Sequence, residues 1–128
     1  MGGNAVHGFL KKAQDNLALA KYCFENGYYD ASANRAYYAA FQAAISALAV
    51  AGITSSKPEH KWTQSTFNSE LIKRRKVYPS RLGSYLVEMI RIRIRADYSD
   101  EPISKKAASR QVAKAEDFVT TIAMELQP

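Results

Sequence analysis

The fold is decided by residues 30–52, which read DASANRAYYAAFQAAISALAVAG. Ten of these 23 residues are alanine, the best helix former, and neither proline nor an internal glycine interrupts the run. The larger apolar side chains point in several directions, which is typical of a helix buried in the middle of a bundle. A helix of this length could span a bilayer, but the polar residues Asp30, Asn34, Arg35 and Gln42 argue against it. The stretch predicts one long buried helix of a soluble protein.

Polar residues form a single line along this otherwise apolar helix. Tyr38 follows Asn34 and Arg35 by four and three residues, and Gln42 follows Tyr38 by four, so these side chains lie near one another on the helix surface. Burying a guanidinium group without a partner costs several kcal/mol. We therefore predict that Arg35 meets Asp97 or a hydroxyl group that faces a cleft. Two interpretations stay open: Arg35 belongs to a core ion pair, or it lines a wet cleft.

Helical spacing of apolar residues predicts four further helices, at about residues 6–26, 58–75, 80–98 and 104–126. Glycine at positions 27 and 52 marks the ends of the first and second helices. Asp30 is the predicted N-cap of the second helix, and residues 56–59 have capping-box spacing before the third. Short connections then favour an all-α, antiparallel up-and-down bundle of about five helices. We predict a single domain over residues 1–128.

The segment from Ile90 to Arg95 alternates strictly between isoleucine and arginine, which taken alone is typical of a strand. A helix is favoured, because several residues spaced by three or four also fall on one helical face. They are Leu82, Leu86, Ile90, Arg93 and Asp97. A lone strand among helices would have no partner strand. In the helix Arg93 and Asp97 are four residues apart, and we expect them to form an ion pair.

Positive charge is concentrated in residues 73–95. The whole chain has a formal charge of +6, and this segment holds eight basic residues against one acid, Glu88. A concentrated basic patch is typical of a protein that binds a polyanion. A solvated basic face that aids solubility would give the same sequence pattern. We predict that Lys73, Arg74 and Lys76 contact RNA. The basic residues are Lys73, Arg74, Arg75, Lys76, Arg81, Arg91, Arg93 and Arg95.

Composition excludes several other classes of protein. The single cysteine, Cys23, cannot form a disulfide within the chain, and its apolar helical surroundings favour a core residue in a reducing compartment. The N-terminus lacks a signal-peptide pattern. Zinc-ligand spacing, a glycine-rich phosphate loop and a Ser-His-Asp order are absent, and two histidines do not make a typical metal site. The sequence predicts a cytoplasmic protein without metal, cofactor or membrane association.

Three features, taken in order, resemble the HEPN domain. They are SANRAYYAAF at residues 32–41, a histidine early in the third helix (His60), and RIRADY at residues 93–98 before an alanine-rich last helix. The resemblance covers nearly the whole chain, from Phe9 to Ile122. It implies a helical bundle that usually dimerises. Many HEPN proteins are metal-independent RNases or toxins, and many are encoded beside a small nucleotidyltransferase that acts as the antitoxin.

The resemblance also implies a catalytic motif, in which an arginine is followed four to six residues later by histidine and two copies meet across the dimer. Arg93 matches the arginine, but Tyr98 stands where the histidine would be. A tyrosine of pKa about 10 is a poor base at neutral pH, although it can bind a phosphate or stack on a base. In some HEPN proteins a tyrosine near this motif is adenylylated by the partner. Catalysis or modification, ligand binding and a structural hydrogen bond all stay open for Tyr98, whereas a structural role is favoured for His60.

The sequence predicts a homodimer that binds RNA or nucleotide in a basic cleft lined or supported by Arg35, Tyr38, Arg93, Asp97 and Tyr98. Arg93 and Tyr98 are the candidate catalytic residues. The leading hypothesis is the HEPN half of a toxin–antitoxin pair, with metal-independent endoribonuclease activity. The alternative is a non-catalytic nucleotide-binding or interaction module that serves a separate nucleotidyltransferase. Loss of the motif histidine favours the module, and the concentrated basic segment favours an RNA partner.

Overall fold

A computed structural model describes residues 2–126, with side chains from residue 8 onward. Over that range the chain forms five helices connected by short loops, and the third helix continues directly into a π-helical segment, Phe67–Arg74. The predicted all-α bundle of five helices is confirmed. The helices are α1 (Gly2–Glu25), α2 (Tyr29–Val50), α3 (His60–Thr66), α4 (Ser80–Tyr98) and α5 (Lys105–Leu126).

Helix α2 is the centre of the bundle, as its sequence predicts. It contacts each of the other four helices, and its interface with α1 is the largest in the described structure. Most of its inward positions carry only a methyl group, so the neighbouring helix backbones can approach closely. The buried alanines of α2 are Ala33, Ala36, Ala39, Ala40, Ala43, Ala44 and Ala47.

Larger side chains from the surrounding elements fill the remaining space of the core. Phe67 stacks on Tyr78 and also contacts Phe118, with ring centroids 5.6 Å and 5.3 Å apart. Burying such side chains is the main favourable contribution to folding. The largest fully buried apolar side chains are Tyr37, Leu48, Phe67, Leu71, Leu82, Leu86, Met89, Phe118 and Ile122.

The two predicted glycine stops are confirmed, but the predicted N-cap of α2 is wrong. Gly27 and Gly52 each have a φ of 80°, the left-handed conformation that glycine adopts without strain. Helix α2 begins two residues earlier than expected, which leaves Asp30 inside its first turn. There the Asp30 carboxylate accepts a hydrogen bond from the backbone N–H of Ile103, at 2.7 Å. It therefore anchors the loop before α5 instead of capping its own helix.

The start and the character of the third helix also differ from the prediction. Glu59 has extended backbone angles and forms no side-chain capping bond, so α3 begins at His60 and the capping box is absent. The chain then widens into the π-helical turns, where Arg75 N–H donates to the carbonyl of Glu70, five residues back. Lys76, with a φ of 53°, ends the segment.

Helix α4 runs from Ser80 to Tyr98 without interruption, so the helical interpretation of the alternating segment is confirmed. Its N-terminal half packs closely on the π-helical segment at Gly83, where a larger residue would force the side chain of Asn68 to move. A Cβ atom at this position would lie 1.8 Å from Oδ1 of Asn68. No helix in the described part of the chain is long and apolar enough to cross a membrane.

Candidate functional site

The polar line of α2 meets the C-terminal half of α4, and Asn34 joins the two helices. Its Nδ2 donates to both carboxylate oxygens of Asp97, at 3.0 Å and 3.2 Å. Its Oδ1 accepts from Nε and Nη2 of Arg35, at 3.0 Å and 2.6 Å. The Asp97 carboxylate also forms the predicted ion pair with Arg93, since Oδ2 lies 3.2 Å from Nε. Asn34 and Asp97 thus connect two arginines from different helices.

The environment of Arg35 differs from the expected one. Its guanidinium is half-buried and contacts amide oxygens, those of Asn34 and of Asn16 on α1 (3.2 Å), and it lies 4.8 Å from the ring centroid of Tyr38. The nearest acid along this chain of contacts, Asp97, is reached only through Asn34. Cation–π contact and hydrogen bonds to neutral amides therefore replace the expected direct contact with Asp97 or a hydroxyl.

Arg93 is held on one side and leaves part of its guanidinium available. Its Nη2 donates to the hydroxyl oxygen of Tyr38 at 3.2 Å, and its Cζ lies 5.5 Å from the Tyr38 ring centroid. The 3.2 Å contact between its Nε and Asp97 is an ion pair that is not aligned for a hydrogen bond, so this buried N–H has no acceptor among the described residues. Its side chain is 19% exposed, so a ligand can approach part of it.

His60, for which a structural role was favoured, belongs to the same cluster. Its Nδ1 lies 2.5 Å from the hydroxyl oxygen of Tyr37, and its ring contacts Phe41 at a centroid distance of 4.6 Å. Burial, together with the positive charge of Arg93, lowers the pKa of His60 below its ordinary value. Burial raises the pKa of Tyr37, so its phenol stays protonated. The position of His60 at the start of a helix was the only sequence signal for this placement.

Tyr98, the second candidate catalytic residue, does not join Arg93 within one chain. It follows Arg93 by five residues, which on an α-helix places it about 140° away around the axis. Its side chain is 79% exposed at the end of α4. A site containing both residues therefore needs a second copy of the chain.

The predicted RNA-contacting residues lie at the opposite end of α4. Lys73, Arg74 and Lys76 precede Ser80, and from Ser80 to Arg93 the helix rises about 20 Å. Arg74 is ion-paired with Glu70, with Nη2 and Oε1 2.6 Å apart, whereas the two lysines are exposed. The basic segment is thus divided into two clusters instead of forming one cleft.

Comparison with known proteins agrees with the motifs. The model of the HEPN domain family matches residues 6–125 of the chain. The chain belongs to the HEPN family. A putative toxin of Methanocaldococcus jannaschii is 26% identical to it over 125 residues, which cover 95% of this chain and 89% of the relative.

In this HEPN domain the cluster at α2 and α4 carries an excess of positive charge. Two guanidinium groups, from Arg35 and Arg93, lie against the ring of Tyr38, and Asp97 is the one acid bound to them among the described residues. No group of three or more histidine, cysteine, aspartate or glutamate side chains in the described range could hold a metal ion. What the cluster offers chemically is a set of hydrogen-bond donors beside aromatic rings, which suits an anionic ligand with a planar base.

We expect replacement of Arg35 by alanine to lower the free energy of unfolding of this HEPN domain by about 1–2 kcal/mol. The substitution removes the hydrogen bonds to the side-chain amides of Asn16 and Asn34 and the cation–π contact with Tyr38. The loss should stay below the 3–5 kcal/mol typical of a broken buried ion pair, since Asp97 keeps Arg93 and Asn34. Urea denaturation measures the change. Arg91→Ala, at an exposed position of α4, is the matched control and should change stability by less than about 0.5 kcal/mol. A loss no larger than that of the control would show that these contacts do not stabilise the fold.

Proposed function

We propose that this HEPN protein is the toxin component of a pair with a small nucleotidyltransferase, and that it binds RNA and cleaves it slowly without a metal ion. The observation that carries the proposal is the setting of Arg93. Its guanidinium is oriented by Asp97 and Tyr38, and its side chain stays partly exposed, which is what stabilising the charge of a reacting phosphate requires. Membership of the HEPN family and similarity to a putative toxin support the same class of function.

The division of the basic residues favours RNA over a mononucleotide. One cluster lies around Arg93, and the other, with Lys73 and Lys76, lies before the N-terminus of α4, a helix that rises about 20 Å from Ser80 to Arg93. A single nucleotide cannot contact both clusters, whereas an extended strand can. In this proposal the lysines bind the backbone without reading sequence, and Arg93 binds the phosphate that reacts.

Two copies of the chain complete the proposed site. Ile94 and Tyr98 are one turn apart on the solvent face of α4 and are 47% and 79% exposed. We propose that this face pairs with the same face of a second copy, so that Tyr98 of the partner subunit approaches Arg93. Its phenol would bind the phosphate or stack on a base, because a pKa of about 10 makes it a poor base at neutral pH.

RNA binding by the wild-type protein should weaken steeply as salt concentration rises, because phosphate contacts release counterions. Replacing Lys73 and Lys76 by alanine should weaken binding about equally for all RNA sequences and reduce the salt slope by about one unit per lysine. Adding Arg74→Ala should change little, since Glu70 already holds that guanidinium. Fluorescence anisotropy at several salt concentrations measures both quantities.

The matched control replaces Lys11 and Lys21 of α1, which removes the same charge from positions ion-paired with Asp15 and Glu116. Equal weakening by the two pairs of substitutions would show that only net charge matters. Binding that does not depend on salt would contradict the phosphate contacts.

The second candidate function is the non-catalytic module, and the exposure of Tyr98 favours it. A phenol that is 79% exposed at a helix end is accessible to a modifying enzyme. Incubation with ATP and a small nucleotidyltransferase of the kind encoded beside many HEPN proteins, followed by mass spectrometry, tests this function. Adenylylation of Tyr98 in a protein that neither binds nor cleaves RNA would establish the module in place of the toxin.

A further inference from the structure

The contact between Tyr37 and His60 fixes where the imidazole carries its proton. Tyr37 is 1% exposed, and among the described residues its hydroxyl has one hydrogen-bond partner, Nδ1 of His60 at 2.5 Å. A buried O–H group needs an acceptor, and a neutral imidazole has one acceptor nitrogen. The Tyr37 hydroxyl therefore donates to Nδ1, which places the proton of the imidazole on Nε2.

His60 is neutral at neutral pH. Because the Tyr37 hydroxyl donates to Nδ1, the single proton of the neutral ring lies on Nε2, which is therefore a hydrogen-bond donor and not a base. The pKa of His60 lies below the ordinary value because of burial and the positive charge of Arg93. The titratable and charged groups that face it among the described residues are Tyr37 and Tyr38 from α2 and Arg93 from α4. None of them carries a carboxylate. In the described structure Nε2 has no hydrogen-bond partner of its own.

His60 and Arg93 flank the same pair of rings. The His60 ring lies 5.4 Å and 5.8 Å from the ring centroids of Tyr37 and Tyr38, and Cζ of Arg93 lies 5.8 Å and 5.5 Å from them. The Tyr38 hydroxyl oxygen accepts a hydrogen bond from Arg93, and its own proton remains available for donation. His60, Tyr38 and Arg93 are all partly exposed, so each carries a donor group beside this pair of rings that a ligand can approach.

We propose that Nε2–H of His60, the hydroxyl of Tyr38 and the guanidinium of Arg93 form a subsite for one phosphate group, with His60 acting as a neutral hydrogen-bond donor. In the function proposed above, on which this inference rests for its ligand, the phosphate belongs to the RNA backbone. His60 is then a binding residue, and Tyr37 is a positioning residue that sets its tautomer.

Two similar substitutions of His60 distinguish its proposed role as a hydrogen-bond donor from a role as a base or a purely structural role. The amide nitrogen of glutamine reaches roughly the place of Nε2, whereas that of asparagine reaches the place of Nδ1. His60→Gln should bind a 2′-O-methylated RNA oligonucleotide within about threefold of the wild-type affinity. His60→Asn should lose about tenfold, the value of one hydrogen bond to a charged acceptor. Circular dichroism confirms that both variants fold. Wild-type affinity in His60→Asn, or equal losses in the two variants, would overturn the subsite.

Nitrogen-15 NMR reads the tautomer directly, without any activity assay. The chain has two histidines, so His7→Gln leaves His60 as the sole imidazole. Its spectrum should show the proton on Nε2, and Tyr37→Phe should abolish this preference. Saturating AMP should raise the pKa of His60, because a bound phosphate favours the imidazolium form. A proton on Nδ1 in the parent protein, or a pKa that bound AMP leaves unchanged, would overturn the proposal.

The two experiments distinguish failure of the subsite from failure of the RNA function. Loss of RNA binding in Arg93→Ala, with wild-type binding in both His60 variants, overturns the subsite and leaves the RNA function intact. A response of His60 to AMP, in a protein that does not bind RNA, overturns the RNA function and supports the subsite. If the protein does not bind RNA and AMP leaves His60 unchanged, both proposals fail.

Discussion

Arg93→Ala and Tyr98→Phe should each lower the rate of metal-independent RNA cleavage by about a hundredfold or more, and mixing the two variants should restore activity. Arg93 stabilises charge on the reacting phosphate and the Tyr98 hydroxyl binds the same phosphate, and losing one such group typically costs 10²–10³ in rate. The proposed site takes Tyr98 from the other copy, so a mixed dimer contains one intact site. With random exchange of subunits the mixture should reach about a quarter of the wild-type rate.

The assay follows a labelled RNA in the presence of a metal chelator and identifies the 2′,3′-cyclic phosphate ends that attack by the ribose hydroxyl leaves. Arg110→Ala, at an exposed position of α5 and outside the face of α4 that is proposed to pair, is the matched control and should keep most of the activity. Strong cleavage that survives both substitutions would indicate a contaminating nuclease or a site elsewhere. Inactivity of a mixture in which mixed dimers are present would show that Tyr98 does not act across the dimer.

Ala40→Leu should lower the free energy of unfolding by about 2–3 kcal/mol. Ala40 is fully buried in the helix at the centre of the bundle, and the larger side chain must push packed backbones apart. Such a loss is a large fraction of the 5–15 kcal/mol that stabilises a typical domain. Urea denaturation measures it, with Ala31→Leu, at an exposed position of the same helix, as the control. If both variants were equally stable, α2 would not be closely packed.

Sequence alone predicted the fold well because its main signals are local. Alanine content, the glycines at 27 and 52 and helical spacing defined α2 and α4, and α4 was placed at its observed limits of Ser80 and Tyr98. The prediction was weaker where two local preferences compete. Residues 56–59 have the spacing of a capping box, yet Glu59 has extended backbone angles. No sequence pattern predicted the π-helical turns from Phe67 to Arg74.

The site was predictable only within single helices. The pairing of Arg93 with Asp97 follows from their spacing along α4, and it is confirmed at 3.2 Å. Contacts between helices, such as Asn34 with Asp97 and Tyr37 with His60, depend on how the helices slide and rotate against each other. Side-chain packing over the whole core sets that register, so a pattern along one helix does not contain it. For the same reason the contribution of His60 was missed.

The short connection between α1 and α2 has a consequence for the order of folding. Only a few residues around Gly27 separate the two helices, and their interface is the largest in the described bundle. Closing so short a loop costs little entropy, and contacts between segments close in sequence form fastest. This hairpin can therefore assemble while the rest of the chain is still being synthesised. The hydrogen bond from Ile103 to Asp30, which closes a much longer loop, has to wait until α5 docks.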